Sequence, residues 1–82
     1  MNEDTLFQKI IEILKPYTKH PELLDRATKE TDIVKDLKVN SARLVDVIIK
    51  CEDVFGVSLD DDDADKIWTI GDAMAVIQKR LA

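Results

Sequence analysis

Ser41, Cys51 and His20 are the residues of this sequence whose types could support nucleophilic catalysis. A Cys–His pair would need both side chains in one cleft, because the histidine must take the proton from the thiol. Cys51 falls in the middle of an apolar helical stripe, where a small hydrophobic residue is expected. His20 is the single histidine and precedes a proline in a polar segment, so we expect it to be solvated. The sequence indicates no catalytic dyad or triad, and we expect a protein that is not an enzyme.

The acidic run Asp60–Asp63 is the next feature that could bind a ligand, in this case a cation. An EF-hand loop needs oxygen ligands at alternating positions, a glycine at the sixth and a glutamate at the twelfth. The sequence lacks that spacing. Acidic residues at the start of a helix interact favourably with its dipole, so we expect a solvated helix start and no specific metal site.

Ser41 stands at the beginning of the segment with the clearest helical periodicity. Serine is a preferred N-cap, so its position alone favours a capping role. A hydroxyl at a helix N-terminus also faces outward, where the dipole favours negative charge. Taken alone, Ser41 is therefore expected to be an N-cap.

Apolar spacing of three and four predicts the helices that position these residues. The first helix should end near Pro16, which lacks the N–H that an interior position needs, and Asn2 or Asp4 can cap its start. The helix that follows Ser41 should end at Gly56. Its expected core face is Leu44, Val47, Ile48, Cys51, Val54 and Phe55.

A short third helix, a longer fourth helix and a long first loop complete the predicted fold. Residues 17–40 form a connection whose apolar side chains should pack on the bundle. Asp60 should cap a short third helix, and Thr69 with Asp72 forms a capping box for a fourth, while Trp68 should cover the core as a lid. In the fourth helix we expect Ile70, Ala73, Met74, Ile77 and Leu81 inside and Gln78, Lys79 and Arg80 outside. The fold class is all-α, a four-helix bundle of three longer helices and one short helix.

Size and charge limit the remaining alternatives. Eighty-two residues suit one small domain over 1–82, and a net charge of −5 argues against nucleic acid and membrane insertion. A single cysteine leaves no internal disulfide. The first residues show no secretory signal, so we expect a cytoplasmic protein, and we expect it to be a monomer.

The residues around Ser41 resemble a known family. Residues 36–42, Asp-Leu-Lys-Val-Asn-Ser-Ala, are similar to the Asp-Leu-Gly-x-Asp-Ser-Leu motif of acyl and peptidyl carrier proteins. Residues 52–59 and 69–72 resemble the stretches that join the later helices of that family, and the resemblance spans residues 6–77. Four positions differ from the common pattern: Lys38 stands at the glycine, Asn40 at the acid, Ala42 at the large aliphatic, and Arg43 where many members have an acid.

The resemblance implies that Ser41 bears 4′-phosphopantetheine, added from coenzyme A by a phosphopantetheinyl transferase. The thiol of that group would carry acyl intermediates as thioesters between acyl-transferring or condensing enzymes of fatty-acid, lipid or polyketide-type synthesis. The acidic balance favours acyl over peptidyl or aminoacyl cargo. The competing interpretation is an unmodified, acidic helical protein-interaction module.

Partner enzymes are expected to bind around the start and outer face of the second helix. An apolar line there should be partly exposed, because it lies about 100–160° around from the core face. Acids beside this line can meet basic patches on a partner. The expected partner-binding residues are Asn40, Ala42, Arg43, Val45, Asp46, Ile49, Glu52 and Asp53.

Overall fold

The regular structure of the chain is helical, as the sequence predicts. The computed structural model describes residues 1–81. The α-helices are α1 (Glu3–Leu14), α2 (Leu44–Phe55), α3 (Asp61–Asp65) and α4 (Ile70–Leu81), with 3-10 segments at Lys15–Tyr17, Pro21–Arg26 and Ser41–Arg43. Within residues 1–81, β-structure is limited to two isolated bridges, Thr18 with Val39 and Asp32 with Thr69. The prediction of an all-α four-helix bundle is confirmed.

The start of α1 and the end of α2 lie where their capping residues predict, whereas α2 begins at Leu44, after a 3-10 turn at the predicted cap Ser41. Asn2 caps α1 by accepting the Thr5 N–H at 2.8 Å, and the helix stops two residues before Pro16. Gly56 ends α2 with φ of 65°, a left-handed conformation that glycine adopts without steric penalty.

The short helix α3 and the longer α4 both start with a reciprocal capping box. Asp60 caps α3 and exchanges hydrogen bonds with Asp63, whose N–H lies 2.8 Å from the Asp60 carboxylate. At α4, the Asp72 N–H donates to the Thr69 hydroxyl at 3.0 Å, and the Thr69 N–H donates to the Asp72 carboxylate at 2.9 Å. The capping box at Thr69 and Asp72 is therefore confirmed.

The core lies between α1, α2 and α4 and includes the long connection. Each helix contributes residues spaced by three or four, which places them on one face. The fully buried side chains include Leu6, Ile10 and Leu14 of α1, Ile33, Leu37 and Val39 of the connection, and Ile70 and Ile77 of α4. The prediction that this connection packs on the bundle is confirmed.

Backbone hydrogen bonds join the connection to the start of α4. Ile33 N–H donates to the Trp68 carbonyl at 2.9 Å, and Gly71 N–H donates to the Lys29 carbonyl at 2.8 Å. A β-carbon at Gly71 would lie 2.9 Å from that carbonyl oxygen, so the close approach requires glycine. These contacts fix the first loop against the start of α4.

Three core predictions are wrong. Trp68 is 60% exposed, because its backbone is held at the α4 entry while Ile67 and Ile70 fill the core there. Val54 is exposed, because the buried face of α2 is the narrower stripe of Val47, Cys51 and Phe55. Leu81 is also exposed, since it lies in the last turn of α4 beyond the buried Ile77.

The acidic run contains a buried ion pair that the sequence analysis missed. Asp63 is 2% exposed, and Arg80 Nε donates to its carboxylate at 2.8 Å. A second guanidinium nitrogen of Arg80 lies 3.1 Å from the Asp60 carboxylate. The expectation of a solvated acidic run is therefore wrong at Asp63, because a buried carboxylate requires a cationic partner. Arg80 is exposed, as predicted, and pairs with Asp63 from the surface.

None of the helices in residues 1–81 has both the length and the apolar content needed to cross a membrane.

Candidate functional site

Ser41 lies at the first position of the 3-10 turn that leads into α2. The residue that caps this turn is Asn40, whose side-chain oxygen accepts the Ala42 N–H at 2.9 Å. The Arg43 N–H donates to the Asn40 carbonyl at 2.8 Å. The capping role that serine could have filled is thus taken by Asn40, and Ser41 is exposed.

The chain just before Ser41 is held by a compact set of hydrogen bonds. The Asp32 carboxylate accepts the N–H groups of Val34 and Lys35 at 3.0 and 2.8 Å, and the Asp36 carboxylate accepts the Asp32 N–H at 2.8 Å. The side chains of Leu37 and Val39 are buried on either side of an exposed residue, Lys38. This arrangement fixes the position of the serine relative to the core.

Lys38 has φ of 57°, which lies in the left-handed region that favours glycine. Any residue with a β-carbon is strained there. The backbone turns at this point from the buried Leu37 to the buried Val39, three residues before the site serine.

The exposed apolar line on α2 forms as the sequence predicts. We call Ala42, Val45 and Ile49 the α2 strip; Val45 is 62% exposed and Ile49 is 56% exposed. Asp46 borders the strip and accepts a hydrogen bond from Arg43 at 3.1 Å. The strip begins next to Ser41 and continues along the helix.

A groove beside the strip carries all three acids expected to bind partners. It has a volume of about 580 Å³, and we call it the acidic groove; its lining is Tyr17, Asp46, Ile49, Lys50, Glu52, Asp53, Val57 and Ser58. Glu52 differs from the other acids, because its carboxylate accepts the Leu59 N–H at 2.7 Å and it is half-buried. Glu52 therefore holds the connection between α2 and α3.

The two other candidate nucleophile and base residues lie outside this site. Cys51 is buried in the core, where desolvation and then the charge of Glu52 raise the pKa of its thiol to about 11. A thiol with that pKa is protonated at neutral pH and unreactive. His20 is exposed, and its Nδ1 lies 3.4 Å from the Glu22 carboxylate. Residues 1–81 contain no group of three His, Cys, Asp or Glu side chains arranged to hold a metal ion.

Comparison with known proteins decides the family. The chain is 36% identical over 78 residues to the acyl carrier protein of Lactobacillus acidophilus, and the match covers 95% of both chains. It is 34% identical over 80 residues to the acyl carrier protein of Thermotoga maritima, covering 98% of this chain and 96% of the other. The chain belongs to the acyl carrier protein family. No protein-family model matches it.

A solved acyl carrier protein structure has the same fold. The acyl carrier protein from Enterococcus faecalis superimposes with a TM-score of 0.77 at 29% identity, and the match covers 98% of this chain and 99% of that chain. Within the acyl carrier motif, Lys38 occupies the glycine position, and its positive φ gives the physical reason why glycine suits that position.

The structure also adds residues to the site that the sequence analysis did not include. Tyr17 lines the acidic groove, and the segment from Pro16 to Lys19 forms a second wall near Ser41. These residues are more than twenty positions from the serine in sequence. Helical periodicity therefore cannot predict that they lie near it. The pairing of Thr18 with Val39 brings them to the site.

Proposed function

We propose that this protein carries acyl groups in lipid or secondary-metabolite synthesis, on 4′-phosphopantetheine attached to the hydroxyl oxygen of Ser41. The observation that supports the proposal most strongly is an exposed serine at the motif position of an acyl carrier fold. The acidic balance of the chain, with a net charge of −5, favours acyl over peptidyl cargo.

The residues around Ser41 are compatible with this modification. Asn40 caps the turn, so attaching a phosphodiester to the serine oxygen removes no capping hydrogen bond. The hydroxyl would attack the pyrophosphate of coenzyme A, forming the serine O–P bond and releasing adenosine 3′,5′-bisphosphate, while a base of the transferase takes the proton. The attached group supplies a terminal thiol on a flexible arm, which holds acyl groups as thioesters.

We further propose that the α2 strip and its neighbouring charges bind a phosphopantetheinyl transferase and acyl-transferring or condensing enzymes. Two exposed aliphatic side chains, Val45 and Ile49, provide an apolar contact, and Asp46 and Asp53 provide charge complementarity for a basic partner. Asn40, Ala42 and Arg43 complete the surface at the serine end. Glu52 is left out, because its carboxylate already holds the Leu59 N–H. In this role residues 1–82 act as one monomeric domain in the cytoplasm.

The modification can be tested by intact mass. Incubating the apo protein with coenzyme A, Mg²⁺ and a broad-specificity transferase should add one phosphopantetheine. The chain has two serines, Ser41 and Ser58, which makes a matched pair of variants available. Ser41→Ala should gain no mass, whereas Ser58→Ala should be modified like the wild type, because Ser58 lies beyond the end of α2.

Two outcomes would contradict the proposal. Wild-type protein that stays unmodified with several transferases would favour an unmodified interaction module. Modification that persists in Ser41→Ala would place the attachment elsewhere. Loading of the modified protein with an acyl group, followed by release with neutral hydroxylamine, then tests the thioester itself.

A further inference from the structure

A cleft of about 520 Å³ lies between the segment that follows α1 and the turn that precedes α2. Thr18 holds its two walls together, because it pairs with Val39 in an antiparallel bridge and its buried hydroxyl donates to the Leu37 carbonyl. The cleft lies next to Ser41 in the chain, since it is lined by Asn40, directly before the serine, and by Arg43, two residues after it. Its lining residues are Pro16, Tyr17, Thr18, Lys19, Asn40 and Arg43.

The charge of this cleft is opposite to that of the whole molecule. Lys19 and Arg43 are the charged side chains in its lining, whereas the chain has a net charge of −5. The acidic groove, which shares Tyr17 with the cleft, contains three carboxylates and one lysine. A doubly substituted phosphate on Ser41 carries one negative charge, so Coulomb's law favours the cleft over the acidic groove.

Arg43 is able to reach an anion in the cleft despite its ion pair with Asp46. The pair joins one guanidinium nitrogen, Nη1, to the Asp46 carboxylate at 3.1 Å, and both side chains are about half exposed or more. Exposed pairs of this kind are weak, and a guanidinium has five N–H donors in a planar fork that matches phosphate oxygens. Lys19 adds three further donors from the opposite wall.

We propose that the cleft between Lys19 and Arg43 binds the phosphodiester of the prosthetic arm, and thereby directs the arm away from the acidic groove. This rests on the proposed attachment at Ser41. A tethered group has an effective concentration in the millimolar range or above, so even a weak phosphate site is occupied for much of the time. Lys19 and Arg43 act here as positioning residues, which set the direction in which the arm leaves the protein.

The experiment compares the apo and modified forms by ¹H–¹⁵N and ³¹P NMR, after intact mass has shown complete modification. The amides of Thr18 and Lys19 are the decisive probes, because they lie far from Ser41 in sequence and belong to the wall of the cleft. Both should shift on modification, and the shifts should shrink in 0.5–1 M NaCl, where the Debye length falls to about 3–4 Å. Lys19→Ala should change the ³¹P shift, whereas Lys15→Ala, which removes a cation outside the cleft, should not.

The outcomes test phosphodiester binding in the cleft separately from the attachment at Ser41. Complete modification without a change in the Thr18 and Lys19 amide shifts would contradict phosphodiester binding in the cleft. So would a ³¹P shift that is identical in wild type and Lys19→Ala. Neither result would contradict the attachment at Ser41. Shifts that appear instead along the acidic groove would also overturn it. A missing mass increment would contradict the attachment at Ser41 and with it the premise of the cleft.

Discussion

Lys38 is the one residue near the site whose backbone conformation disfavours a side chain. Among residues 1–81 it is the only non-glycine residue with positive φ. A left-handed conformation costs an L-residue roughly 1–2 kcal/mol, whereas glycine adopts it freely. The strain persists because Leu37 and Val39 on either side are anchored in the core.

We expect Lys38→Gly to raise the free energy of unfolding by about 0.5–1 kcal/mol, because relief of the strain exceeds the extra entropy that glycine gains in the unfolded chain. Urea denaturation followed by circular dichroism measures the change. Lys38→Ala is the matched control, since it removes the same charge but keeps a β-carbon. Equal gains in both variants would show that charge, and not backbone conformation, limits stability at this position.

At the scale of elements, the Asp63–Arg80 pair connects α3 to the last turn of α4. Helix α3 is five residues long, too short to be stable by itself, so its position depends on its capping box and on Arg80. Burial raises the pKa of the Asp63 carboxyl, but hydrogen bonds from Arg80 and the Asp60 backbone, together with the charge of Arg80, hold it below the ordinary value. The same contacts raise the pKa of Arg80.

Arg80→Met should lower the melting temperature at pH 7 by several degrees, because it leaves the buried Asp63 carboxylate without its cationic partner. In the wild type, the pKa of Asp63 is lower in the folded state, so its stabilisation is present above the unfolded pKa of about 3.9 and is lost as pH falls through the folded value. The difference in melting temperature between wild type and Arg80→Met should therefore grow from about pH 3 to pH 6. Lys66→Met, which removes an exposed cation at the end of α3, serves as the control. A pH-independent difference would show that lost packing alone accounts for the effect.

At the scale of the whole molecule, we expect partner binding to depend more on where the charges lie than on the net charge. The acids along α2 lie beside an exposed apolar strip, whereas the acids at the start of α3 are partly neutralised by Arg80. Exposed charges at the rim of an interface act mainly on the rate of encounter and on salt dependence. The two acidic regions should therefore differ in their effect on partner binding.

With a phosphopantetheinyl transferase as the partner, we expect Asp53→Lys to raise KM a few-fold and to reduce the dependence of KM on salt, because it reverses a charge beside the α2 strip. Steady-state kinetics between 25 and 300 mM NaCl measure both quantities. Asp61→Lys makes the same change in net charge at an exposed position of α3. Equal effects of the two variants would show that the transferase senses overall charge and docks elsewhere.

The helices and the position of the serine could be predicted from the sequence, because both depend on local patterns. The spacing of apolar residues placed α1, α2 and α4, and Asn2, Gly56 and Thr69 marked their ends through contacts made within a few residues. The motif around Ser41 indicated the family for a similar reason, since it is a contiguous stretch of chain.

Tertiary structure alone decided which contacts form between distant segments. Trp68 faces solvent because Ile67 and Ile70 fill the core, and Asp63 is buried because α4 brings Arg80 to it from seventeen residues away. Lys19 lies in one cleft with Asn40 and Arg43 because Thr18 pairs with Val39. Such contacts join residues that are not related by the helical repeat. The packing of the helices and the long connection determines which of these contacts form. Local patterns therefore determined the helices and the position of Ser41 at the start of α2, and packing determined the electrostatic surroundings of that serine.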